Sequence, residues 1–75
     1  MQKQLINKVP IILKNKGISV DDFRWGARIS LNTAKRWADY DSAQLLYRID
    51  IPIIINIANY LNVDVSDMFE IVDAP

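Results

Sequence analysis

The sequence predicts an all-α domain of five short helices, with the two chain ends as candidates for a small two-strand ribbon. Three observations carry that expectation. Apolar residues recur at helical spacing, as in Val9, Ile12 and Leu13, in Phe23 and Ala27, and in Ile51, Ile54, Ile55, Ala58 and Leu61. Helix-starting residues precede those stripes: Asn7, Ser19, Ser30 and Asp50, with Pro10 and Pro52 inside first turns. The chain has 75 residues, 51% of them apolar, which suits one small core and a single domain over 1–75, its core spanning about 7–72.

The first helix is expected over Lys8 to Lys16. Asn7 is its candidate cap, and Pro10 sits where a missing N–H costs little. Gly17 is placed to end it in a left-handed conformation. Ser19 opens the second helix, its hydroxyl set to accept from the N–H of Asp22. Asp21 and Asp22 suit the positive end of the helix dipole. Phe23 and Ala27 should face inward, with Ile29 buried at the following turn. Ser30 caps the third helix, Leu31 to about Ala38, on which Ala34 and Trp37 fall together as core residues.

Asp39 to Arg48 reads as a polar connection with one apolar spot, Leu45-Leu46-Tyr47. Asp50 caps the fourth helix, whose stripe runs from Ile51 to Leu61. The β-branched run Ile53-Ile54-Ile55 suits a strand, but the cap, the proline and the continuing period favour a helix. Val65 to Phe69 forms a short fifth helix. Lys3 to Ile6 and Phe69 to Val72 are the candidate ribbon strands; the alternative is frayed ends.

Net charge is zero, but its distribution is not even. Residues 1–38 hold eight basic and two acidic side chains, net +6; residues 39–75 hold one basic and seven acidic, net −6. Such asymmetry points to a basic face for a polyanion, against the alternative of two solvated surfaces. The chain has neither cysteine nor histidine. The commonest catalytic base, the commonest metal ligand and any disulfide frame are therefore excluded. Asp21-Asp22 is explained by the helix dipole, and Asp39 and Asp41 lack calcium-loop spacing. The expectation is a non-enzyme with no catalytic residues, no metal and no cofactor. No signal peptide or apolar run of about 20 residues is present, so a cytoplasmic protein without membrane contact is expected.

The segment Gly17 to Trp37 sets two short helical patterns around a tight break. Gly17-Ile18-Ser19, Phe23, Ile29-Ser30 and Thr33-Ala34-Lys35-Arg36-Trp37 resemble the lambda-repressor-like helix-turn-helix family, the XRE or Cro type of bacterial and phage regulators. Downstream, Ile54, Ile57-Ala58, Leu61-Asn62-Val63 and Asp67-Met68-Phe69 match that family's "LxxLAxxLGVxxxDLF" tail, and the closing Phe69-Glu70-Ile71-Val72 resembles short members whose ends form a strand. The resemblance covers about Val9 to Val72. Three positions depart from it. Arg24 replaces the usual small residue of helix two, Arg28 replaces the turn glycine, and Val20 replaces a common glutamine. The turn must therefore hold a side chain in an unusual backbone conformation. Gly26 and the exchange of small for large at Ala34 and Trp37 are candidate compensations.

The resemblance implies a lambda-repressor-like DNA-binding domain, a transcriptional regulator acting as a repressor, with the helix Leu31–Ala38 in the major groove. Leu31, Asn32, Lys35 and Arg36 are the candidate base contacts; Leu31 also has a core-lining alternative. Ser30, Thr33, Arg24, Arg28, Lys14 and Lys16 are the candidate phosphate contacts. The expected partners are double-stranded DNA and a second copy of the chain. Leu45-Leu46-Tyr47, the end of the fourth helix and the terminal strands are the candidate interface, and no small-molecule effector site is evident. The acidic second half would then face away from the DNA. The alternative is a protein-interaction module, or an antitoxin-like partner, that keeps the fold.

Overall fold

The computed structural model describes residues 2–38 and 50–73. Within them the chain runs strand β1 (Lys3–Asn7), helices α1 (Val9–Lys16), α2 (Val20–Ala27), α3 (Leu31–Ala38), α4 (Ile51–Leu61) and α5 (Val65–Met68), and strand β2 (Phe69–Asp73). The fold is a small helical domain with one two-stranded antiparallel ribbon. β1 and β2 pair in the register Lys3 with Asp73, Leu5 with Ile71 and Asn7 with Phe69. Ribbon pairing thus replaces the frayed ends, and each strand is one residue longer than expected. Phe69, expected both to end the fifth helix and to begin the second strand, opens β2; its side chain packs against Trp37, ring centroids 5.9 Å apart. The apolar spot Leu45-Leu46-Tyr47 and the acidic Asp39 and Asp41 lie outside the described residues.

Local signals govern the helix ends. Gly17 takes φ +67° and its N–H reaches back to the Lys14 carbonyl, while Ile18 N–H reaches Leu13. Ser19 Oγ accepts from Asp22 N–H at 3.1 Å. Asn7 acts one residue earlier than expected. Lys8 holds the N-cap position of α1, and Asn7 Oδ1 accepts from Val9 N–H at 3.0 Å. Asp50 stands at the N-cap of α4 without a side-chain hydrogen bond to the helix.

The core gathers Val9, Leu13, Phe23, Ala27, Ala34, Trp37, Ile54, Ile57, Ala58, Leu61 and Met68. Burying each large side chain contributes roughly 1.5–3 kcal/mol before chain entropy is charged. The stripe of α4 is rotated from the expected one. Ile57 is fully buried, whereas Ile51 and Ile55, expected inward, are 68% and 50% exposed. An eleven-residue helix with six apolar side chains in its first eight positions offers more than one plausible stripe, and packing against α2 and α5 selects among them. Ile29 is half-buried at the α2–α3 turn rather than enclosed.

Helices α2 and α4 approach closely at Gly26. A Cβ built there would lie 2.0–2.5 Å from atoms of the Tyr60 ring. That ring also packs on Phe23, centroids 6.4 Å apart. Gly26 therefore lets α4 press on the back of α2, and α2 in turn packs along α3.

Candidate functional site

The turn between α2 and α3 is built by Arg28. It adopts φ +57°, ψ +50°, its N–H returns to the Arg24 carbonyl, and Ile29 N–H bonds the same carbonyl at 3.0 Å. A left-handed conformation costs an L-residue about 1–2 kcal/mol, so the surrounding helices hold this turn against its own preference. The side chain of Arg28 is exposed.

Ser30 then starts α3. Its Oγ accepts from Thr33 N–H at 3.1 Å and donates to Thr33 Oγ1 at 2.8 Å. Its carbonyl accepts from Ala34 N–H. The Ser30 hydroxyl is thus spent on the cap, and the hydroxyl proton left for an outside acceptor belongs to Thr33.

Helix α3 is fixed from behind by Ala34 and Trp37, both buried. Trp37 is held again through its carbonyl, which accepts from Asn7 Nδ2 at 3.0 Å. Asn7 is itself buried, so one side chain ties the β1–α1 junction to the last turn of α3. At about 100° per residue, Leu31, Lys35, Asn32 and Arg36 then share one arc of about 140° on the far side. All four are exposed, Leu31 at 37%, and Leu31 is not part of the buried core.

The remaining candidate cations surround this helix in sequence. Lys14 and Lys16 are exposed in the last turn of α1, where the helix dipole favours them. Arg28 stands at the turn. Arg24 is half-buried, with its Cζ 4.4 Å from the centroid of the Trp25 ring, and its Nε is covered without a hydrogen-bond partner among the described residues. Among the described residues the one ion pair is Lys3 with Asp73, at the open end of the ribbon. Every cation of α1, α2 and α3 is therefore without an ion pair among those residues.

Trp25 is a surface feature that the motif pattern passes over. It is 67% exposed. The helical period does foretell this, because Trp25 lies about 200° around α2 from the inward Phe23. No cavity opens among the described residues, and no group of three or more acidic side chains is placed to hold a metal ion there. No helix among them is long and apolar enough to cross a membrane. The chain matches no protein-family model, and no curated protein is significantly similar to it.

Proposed function

We propose that this protein is a sequence-specific DNA-binding transcriptional regulator, a repressor, that places α3 in the major groove. One observation carries the reading: α3 is anchored by buried Ala34 and Trp37, and its free arc presents Leu31, Asn32, Lys35 and Arg36. A groove about 12 Å wide admits a helix, and these side chains suit its base edges. Arg36 or Lys35 donates to guanine O6 and N7. Asn32 pairs with adenine N6 and N7, and Leu31 meets a thymine methyl. Thr33, Arg28, Lys14, Lys16 and Arg24 bind phosphates, which set orientation without reading sequence. Ser30 serves by holding the helix start.

A domain with one such helix reads few base pairs. Two copies on half-sites about one helical turn apart supply the missing selectivity. Exposed Ile71 on β2 and the outer edges of the two-stranded ribbon, unpaired among the described residues, support self-association. The described acidic residues of the second half, Asp50, Asp64, Asp67, Glu70 and Asp73, belong to α4, α5, β2 or their caps rather than to α2 or α3, which suits a part of the surface that reduces indiscriminate binding.

Selection from a randomised duplex library tests the reading, with affinity for the winning sequence followed against salt. An enriched palindrome with a steep salt slope supports it. Absence of enrichment, with only weak salt-sensitive binding, overturns it. One observation favours a second reading, a protein-interaction module or antitoxin-like partner: Ile51 and Ile55 stand exposed one turn apart on α4. Under that reading, substitution of both isoleucines abolishes the protein complex, and substitution of Lys35 and Arg36 leaves it intact.

A further inference from the structure

We propose that Trp25 and Arg24 form a second contact element, a stacked indole–guanidinium pair that grips the sugar–phosphate backbone of duplex DNA beside the groove that α3 enters. The inference rests on the DNA-binding reading and extends it to the outer face of α2. Trp25 is 67% exposed, an unusual place for so large an apolar ring on a small domain. Arg24 lies over that ring with Cζ 4.4 Å from its centroid. The stack restricts a side chain that would otherwise sample many rotamers, so less freedom is lost when it binds.

The hydrogen bonding points the same way. Nε of Arg24 is covered and has no hydrogen-bond partner among the described residues, a costly state for a guanidinium N–H. Among the described residues no side-chain hydrogen bond involves Arg24, so its Nη groups remain as donors. Two parallel N–H donors match two phosphate oxygens. The indole contributes an N–H donor of its own and a flat face for a deoxyribose. Arg28, exposed four residues on at the turn into α3, extends the cationic strip toward the recognition arc. Asp21 and Asp22 lie in the first turn of α2, and among the described residues they engage neither arginine in an ion pair. A polyanion is thus the fitting partner, and in a helix-turn-helix complex the helix before the recognition helix crosses the backbone.

The test uses the two tryptophans. Trp37 is 3% exposed and Trp25 is not, so quenching of the exposed tryptophan reports on α2. Full-length protein is titrated at low salt with a short mixed-sequence DNA duplex, reading tryptophan emission and, in parallel, the anisotropy of labelled duplex. The expected result is quenching in the wild type that Trp25→Phe abolishes while anisotropy still reports binding. Arg24→Ala is expected to weaken binding about tenfold at low salt and to lower the slope of log K against log salt by about one. Arg24→Lys keeps the slope but not the full affinity. Lys35→Ala/Arg36→Ala serves as the control for α3. If duplex binds, depends on Lys35 and Arg36, and leaves Trp25 emission and the Arg24→Ala slope unchanged, the inference is overturned and the α3 reading stands. If duplex does not bind at all, the DNA reading fails and this inference fails with it. If polyglutamate quenches Trp25 and duplex does not, the pair belongs to an acidic protein surface, and the proposal is equally overturned.

Discussion

Replacing Gly26 with alanine probes how the domain holds α2 in place. In an open helix the change is favourable, by about 0.8–1.0 kcal/mol, because glycine loses more backbone freedom on folding. Here the added Cβ meets Cε1, Cζ and Cδ1 of Tyr60 at 2.0–2.5 Å. The whole ring must swing away, and it takes its packing on Phe23 with it. Overpacking of this kind costs about 1–3 kcal/mol. The net expectation is a loss of about 1 kcal/mol, which lowers the melting temperature by about 4–8 °C in a domain of this size. In a Tyr60→Ala background the obstacle is gone, and the same Gly26→Ala change should raise the melting temperature. Thermal melts of the four proteins give the coupling energy directly, expected at about 1–3 kcal/mol. Equal and favourable effects in both backgrounds, a coupling near zero, would refute the close α2–α4 approach.

Three other perturbations address the turn, the anchor and the DNA face. Arg28→Gly relieves a left-handed residue at φ +57° and should stabilise the fold by up to about 1 kcal/mol in denaturant melts. It should also weaken duplex binding, so stability and affinity move in opposite directions. Asn7→Ala leaves the Val9 N–H and the Trp37 carbonyl without their partner and should cost about 1–3 kcal/mol, read as a lower urea midpoint at unchanged slope. Arg36→Ala should cost about 1–3 kcal/mol on a selected site and relax one base position, whereas Lys14→Ala should weaken all sequences alike. Equal losses for Arg36→Ala on selected and random duplexes would remove its base-reading role.

What could be read from the sequence acts over a few residues. Gly17 ends α1 because only the adjoining turn decides its conformation. Ser19 and Ser30 cap their helices through an N–H three residues on, and Phe23, Ala27, Ala34 and Trp37 follow one helical period. Even the demand on Arg28, a side chain in a left-handed turn, could be stated beforehand from the missing glycine. The four outward residues of α3 follow as soon as Ala34 and Trp37 are taken as its inner face.

The tertiary structure decided what depends on a neighbour distant in the chain. Ile51 and Ile55 turn outward and Ile57 inward because packing selects one stripe from an almost wholly apolar helix. Phe69, which the sequence places both at the end of the fifth helix and at the start of a strand, goes to the strand because β1, more than sixty residues earlier, offers it a partner in Asn7 and Trp37 offers it a ring. Asn7 reads as a cap and becomes a tether, because Trp37 presents a carbonyl to its amide thirty residues on. Gly26 reads as a candidate compensation within helix two, but what needs it there appears only in the fold, where Tyr60 occupies the space that a side chain would need. Capping and periodicity are short-range and written in adjacent residues, whereas the choice among equally apolar faces is made only when the elements meet.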